Sequence, residues 1–342
     1  MPRLRRSDAS EPGLTRRRRG RGFVYLSPSG QRVTDRETRQ RIADLVIPPA
    51  WNDVWICLDP NGHLQAVGMD SAGRKQYLYH PRWRERQDQA KFARMIEFGR
   101  KLPTLRKAVA RHLAGDGLER DTVLACAVRL LDVGFFRIGS EDYAEEYGTY
   151  GLATMLKSQV TLDGETITFD YISKGGEHRI QSVVDLDVRR VISALKRRRG
   201  GSPELLAYKQ DGRWKDVRSD EINAYIKEIT GGDFTAKDFR TWNATLLCAM
   251  ALALTDDGVR SKTSRKRVVS AAVREVAEFL GNTPAVCRRA YIDPRLFDRF
   301  STGATIRGAI GQIERIDPQG MPAVQGKIER AVLRLLEDQS PK

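Results

Sequence analysis

The chain has 342 residues, enough for two domains with cores of their own. Its 40% hydrophobic and 30% charged residues are those of an ordinary globular protein, and no apolar run approaches the roughly 18 residues that a membrane helix needs. The 59 lysines and arginines outnumber the 44 aspartates and glutamates, a net charge of +15 that points to a polyanionic partner: DNA, RNA and anionic lipid all qualify at this level.

Residues 1–21 read as a basic, disordered tail, because Arg16 to Arg19 and Arg21 form a block of like charge that repels itself. Residues 22–83 read as a small α+β domain. Phe23-Val24-Tyr25 begins a strand that ends at the Pro28-Ser29-Gly30 turn, and Asp35 caps a helix through Ile42 and Leu45 that Pro48-Pro49 stops. Val54 to Leu58 and Leu64 to Val67 read as strands joined across Pro60-Asn61-Gly62, and Lys75 to His80 adds a short strand. The linker near residues 81–90 is expected to act as a hinge.

Residues 84–342 read as a larger, mainly helical domain. Phe92, Met95, Ile96 and Phe98 predict a helix that packs on one side, and Asp121 to Val133 a helix buried almost all round. Thr166 to Tyr171 and Arg179 to Ser182 interrupt the helices as two strands, with Lys174-Gly175-Gly176 at the turn between them. Lys196 to Gly201 reads as a loose basic connection. Thr235 and Asp238 have the spacing of a capping box before a long apolar helix, Phe239 to Leu254. Arg260 to Arg267 reads as a mobile loop or poorly ordered helix end, followed by a helix over Ser270 to Leu280 that Gly281 ends. Thr283-Pro284 then starts another helix, with threonine as cap and proline in the first turn.

Cys57, Cys126, Cys248 and Cys287 form no CxxC pair, the four histidines lack ligand spacing, and no GxxxxGK[ST] loop is present. Neither a metal site nor a cofactor nor ATP use is therefore expected. No apolar stretch follows the basic N-terminus, so the expectation is a cytoplasmic, nucleoid-associated protein without a secretory leader or membrane contact.

Five positions then stand out in order: Arg137 in Phe136-Arg137-Ile138-Gly139-Ser140, Lys174 in the hairpin, Arg240 in Lys237-Asp238-Phe239-Arg240-Thr241, Asn282 after the helix break, and Tyr291 nine residues later. Taken singly, each has a plain structural reading: an ion-paired surface arginine, a turn lysine, a helix-end asparagine, a half-buried tyrosine. Taken in order, these segments resemble the active-site segments of type IB DNA topoisomerases of the compact bacterial and poxvirus-like branch. The resemblance spans roughly residues 22 to 300. Lys75-Gln76-Tyr77-Leu78-Tyr79 is similar to that family's DNA-contacting strand, and Tyr143 and Lys237 match positions near the scissile phosphate.

The resemblance implies a two-lobed clamp on duplex DNA, with a small β-sheet lobe and a mainly helical catalytic lobe containing the hairpin. It implies relaxation of supercoils of either sign through a 3′-phosphotyrosyl intermediate, by a monomer with no obligatory protein partner, ATP or metal. Tyr291 is the implied nucleophile, Arg137 and Arg240 the groups that grip the non-bridging oxygens, Asn282 a hydrogen-bond donor, and Lys174 the proton donor to the leaving 5′ oxygen. Gln76, Tyr77, Tyr79, Tyr143 and Lys237 are implied DNA contacts. The chemistry wants these types. About one tyrosine in a thousand is ionised at neutral pH, so attack needs a cationic setting, and two arginine forks supply one. Two other readings share these features: a tyrosine recombinase, although Lys237 stands where recombinases usually carry histidine, and a non-catalytic basic DNA-binding protein.

Overall fold

A computed structural model describes residues 3–255, 261–311 and 321–337. The chain divides into two compact units, Met1–Ala93 and Arg94–Lys342. Among the described residues no helix is long and apolar enough to cross a membrane.

The first unit is a five-stranded antiparallel sheet with one helix on it. The strands are β1 (Leu14–Arg19), β2 (Gly22–Leu26), β3 (Asn52–Ile56), β4 (Leu64–Met69) and β5 (Lys75–Tyr79), in the order β2-β1-β3-β4-β5. Helix α1 (Arg36–Asp44) starts where expected, with Asp35 accepting from the Thr38 amide. Its one fully buried residue, Ile42, packs on Leu14, Val54, Ile56 and Ala66. Strand alternation does the rest: residues two apart share a face, so one face of the sheet makes the core and β5 closes the edge.

The arginine block corrects the expectation of a disordered tail. It is strand β1, paired with β2 from Thr15↔Leu26 to Arg19↔Gly22 and with β3 at Leu14↔Ile56. Pairing splits the charges between two faces. Arg16 turns inward, donates to the carbonyls of Pro48 (3.0 Å) and Trp51 (2.5 Å), and lies 4.2 Å over the Phe23 ring. Residues 81–90, expected to be a linker, are instead helical: they form the first turns of α2 (Pro81–Leu113), a continuous helix whose Pro103 does not end it.

The second unit is built on α3 (Arg120–Gly134), α5 (Leu186–Arg197), α6 (Ser219–Thr230) and α7 (Ala236–Leu254), with the short α4 (Glu141–Tyr147) at one side. Helix α3 is apolar around its circumference and is buried from Thr122 to Leu131 except at Arg129, as its composition predicts. The three-stranded sheet β6 (Val160–Asp163), β7 (Thr166–Ser173) and β8 (Glu177–Val184) projects the hairpin, and β9 (Ala207–Gln210) pairs with β10 (Arg213–Asp216). The Lys196 to Gly201 stretch is not loose. The buried Arg198 side chain donates to the carbonyls of Leu205 (2.6 Å), Ser202 (3.2 Å) and Glu204, and fastens the loop to itself.

Helices α8 (Lys262–Leu280), α9 (Pro284–Ala290), α10 (Pro294–Ser301), α11 (Arg307–Gly311) and α12 (Met321–Glu337) follow. Helix α8 begins well before Ser270, because Ser261 accepts from the Ser264 amide and caps it. Of the expected mobile segment, Arg260 lies outside the described residues and Lys262 to Arg267 are helical.

Candidate active site

The end of α3 sets the first arginine. Phe135 takes the left-handed backbone conformation (φ 57°) that caps α3, a conformation that costs an L residue about 1 kcal/mol. The turn aims the Phe135 carbonyl at Arg240 and leads the chain into Arg137. Behind it, Gly139 and Gly151 touch backbone to backbone: a Cβ on Gly151 would lie 2.4 Å from the Gly139 Cα. That approach lets the amides of Leu152 and Ala153 reach the carbonyls of Arg137 (2.9 Å) and Ile138 (2.7 Å), which locks the Arg137 segment.

The second arginine stands on the first turns of α7. The expected capping box is present, with the Thr235 amide donating to Asp238 at 2.8 Å, and Arg94 pairs with the same carboxylate at 2.9 Å. Arg240 follows on the buried face. It donates to the carbonyls of Phe135 (3.0 Å) and Leu280 (2.9 Å), while its buried Nε has no partner among the described residues. Burial first, then the neighbouring charge of Arg137, push its guanidinium down to about 10, and the Tyr291 hydroxyl opposes them. It remains a cation at neutral pH, in a place that favours an incoming negative charge.

Arg137 donates to the carbonyl of Gly281 (2.6 Å) and to Asn282 Oδ1 (2.8 Å). Asn282 thus spends its oxygen on Arg137, and its buried Nδ2 is left as a donor without a partner. Tyr291 ends the helix that Thr283-Pro284 starts: it is the C-cap of α9, and its amide donates to the Cys287 carbonyl at 3.0 Å. The Thr245 hydroxyl on α7 donates to the Tyr291 carbonyl (3.2 Å) and accepts from the Asp293 amide (3.1 Å). The tyrosine backbone is therefore fastened to the helix that carries Arg240, and the Arg240 guanidinium lies 5.4 Å from the Tyr291 ring centre. Cys287, one turn earlier, is buried, and burial pushes its thiol up to about 11.

Arg137, Tyr143, Lys174, Lys237, Arg240 and Tyr291 line one cavity of about 260 Å³, and Asn282 stands behind Arg137. Lys174 is exposed at the β7–β8 turn, 5.5 Å over the Tyr143 ring. Gly175 and Gly176, both at positive φ, make that turn. Gln76, Tyr77 and Tyr79 belong to the other unit. On β5 the two tyrosine rings stack at 6.1 Å, and the Gln76 amide donates to Asp70 at 3.0 Å. Sequence reading missed Phe135, Gly151 and Thr245, which act through contacts distant in the chain and carry no local spacing. Among the described residues no cluster of three or more His, Cys, Asp or Glu side chains is arranged to hold a metal ion.

Comparison with known proteins points the same way. Residues 80–302 match the family described as eukaryotic DNA topoisomerase I, catalytic core, and residues 22–70 match bacterial DNA topoisomerase IB, N-terminal domain. A protein named DNA topoisomerase 1B from Acanthamoeba polyphaga mimivirus is 31% identical over 289 residues, 82% of this chain and 85% of that one. DNA topoisomerase 1 of rabbit fibroma virus is 24% identical over 66% of this chain and 68% of its own. DNA topoisomerase 1B of vaccinia virus is 22% identical over 66% and 69%.

Proposed function

Because the chain belongs to the type IB DNA topoisomerase family, we propose that it relaxes supercoiled duplex DNA of either sign by cutting and resealing one strand through Tyr291. What supports this reading is the single cavity shared by Arg137, Lys174, Arg240 and Tyr291. The Tyr291 Oη attacks the phosphorus and its proton leaves to solvent. A P–O bond to tyrosine forms as the P–O5′ bond breaks, and Lys174 Nζ gives a proton to the departing 5′ oxygen.

Arg137 and Arg240 meet the non-bridging oxygens, where charge grows in the five-coordinate transition state. Arg240 Nε and Asn282 Nδ2, buried and without a partner among the described residues, are the donors we assign to the same oxygens once DNA is bound. Asparagine cannot titrate, so its part is hydrogen bonding alone. One phosphoester replaces another, so resealing is the reverse step and draws on no ATP. Between the two steps the free 5′ end swivels. Tyr143 and Lys237 flank the phosphate, and Gln76, Tyr77 and Tyr79 contact the duplex. The enzyme acts as a monomer in the cytoplasm, on the nucleoid.

Supercoiled plasmid incubated with the purified protein in chelator without ATP tests this. Wild-type protein relaxes it and leaves a covalent adduct on a 3′ phosphate. Tyr291→Phe loses both and keeps DNA binding, since only one hydroxyl is gone. A Phe variant that still relaxes plasmid removes Tyr291 from the reaction. Recombination of paired sites in place of relaxation favours the recombinase reading.

A further inference from the structure

Helix α8 ends against three arginines, each from a different element. Arg179 of β8 donates to the carbonyl of Phe279 (2.8 Å), Arg240 of α7 to that of Leu280 (2.9 Å), and Arg137 to that of Gly281 (2.6 Å). The last carbonyls of a helix have no partners within it, and they carry the negative end of its dipole. Here they hold three guanidinium groups side by side against their mutual repulsion. Two of the three are the proposed phosphate ligands. The third has no part in that chemistry.

Arg179 sits on the inner face of the hairpin, opposite Tyr171 in the β7–β8 register and five residues past Lys174. Other ties among the described residues hold this hairpin: Gln181 donates to Gly134 (2.6 Å), the Tyr150 amide donates to Ile172 (2.8 Å), and β6 pairs along β7. None of these reaches α8. Arg179 does, and at close range: a Cβ on Gly281 would lie 1.9 Å from its Nη1. Gly281 takes φ +61° and is followed at once by Asn282. Arg179 thus ties the strand behind Lys174 to the helix end that holds Arg137, Arg240 and Asn282.

We propose that Arg179 is a positioning residue that sets Lys174 in register with the two phosphate-binding arginines, using the end of α8 as the shared reference. The inference rests on the proposed transesterification. Without Arg179 the turn that carries Lys174 loses its tie to α8, and proton delivery to the 5′ oxygen slows. Phosphate binding by Arg137 and Arg240, which keep their own carbonyls, persists.

A leaving-group comparison separates this from a general structural role. The wild-type cleavage site is first mapped on a duplex oligonucleotide. Two duplexes then carry either the ordinary 5′ oxygen or a 5′-bridging sulfur at that site. An alkylthiol ionises at about pH 8.5, so a thiolate departs without a donated proton, whereas an alkoxide does not. Arg179→Ala is expected to slow single-turnover cleavage of the oxygen duplex by about 10- to 100-fold, part of what a positioned general acid supplies. It is expected to cleave the sulfur duplex within about threefold of wild type, as Lys174→Ala should. Arg179→Lys, which keeps one donor for the Phe279 carbonyl, is expected to recover part of the oxygen rate, and it carries the same comparison if the alanine variant does not fold. Equal slowing on both duplexes, or none on either, overturns the role of Arg179 while leaving the proposed reaction intact. Failure of wild-type protein to cleave either duplex overturns the reaction itself.

Discussion

Arg240 is held in a place that disfavours its own charge. Burial and Arg137 push it down, and the compensation is two backbone carbonyls, those of Phe135 and Leu280. A lysine has a single nitrogen and no planar fork, so it cannot serve both carbonyls and a phosphate oxygen together. Arg240→Lys is therefore expected to lower single-turnover cleavage by about 100- to 1,000-fold, the usual cost of a lost transition-state donor, with DNA affinity changed far less. A lysine variant that cleaves at the wild-type rate removes the bidentate argument. At this scale the proposed site residues were legible as a set, since Arg137, Lys174, Arg240, Asn282 and Tyr291 fall in a recognisable order, and four of them line one cavity. Their supports were not. Phe135 looks like one apolar residue among many until its left-handed turn brings its carbonyl to Arg240, and Thr245 looks like a core threonine until Tyr291 comes to rest on it.

Strands and helices announced themselves where a local device marks them. Asp35 caps α1, the Thr235–Asp238 pair caps α7, and Thr283-Pro284 opens α9, because caps act within three residues of themselves. The arginine run of β1 gave no such mark. Every position carries the same charge, so the alternation that splits it between two faces is invisible without its partner strands. Register supplies the missing fact. Thr15 pairs with Trp55, Trp55 with Val67 and Val67 with Tyr77, so Arg17 and Arg19 share the sheet face of Tyr77 and Tyr79 rather than the core face. If that face meets DNA, Arg17→Ala with Arg19→Ala removes two phosphate contacts. The plot of log affinity against log salt is then expected to be shallower by about 1.8, with cleavage by bound enzyme unchanged. An unaltered slope in a binding titration removes these arginines from the interface.

Beyond Phe300 the sequence offers no motif, yet the last described helix reaches the centre of the catalytic unit. Glu329 of α12 is buried, accepts two hydrogen bonds from Arg106 of α2 (2.7 and 2.8 Å), and takes the Trp242 Nε1–H of α7 at 3.4 Å. Arg106 turns its remaining donors to Asp132 of α3 (2.6 and 2.8 Å). Burial alone would lower this guanidinium, but its bonds to the two carboxylates raise it instead, so the charge is locked on. One ion triad therefore ties α2, α3, α7 and α12 together, and Trp242 stands two residues from Arg240 on the helix it braces. Such a triad stabilises less by its own strength than by the penalty for breaking it, because a lone buried charge has nowhere to go. Glu329→Ala leaves Arg106 half-paired and Trp242 without an acceptor, and is expected to cost about 3 kcal/mol. Glu329→Gln keeps one acceptor oxygen that Arg106 and Trp242 can share, and is expected to cost less. Urea unfolding of the three proteins reads this directly. A Glu329→Ala midpoint equal to wild type would mean that α12 is an appendage, and that α7 holds Arg240 without it.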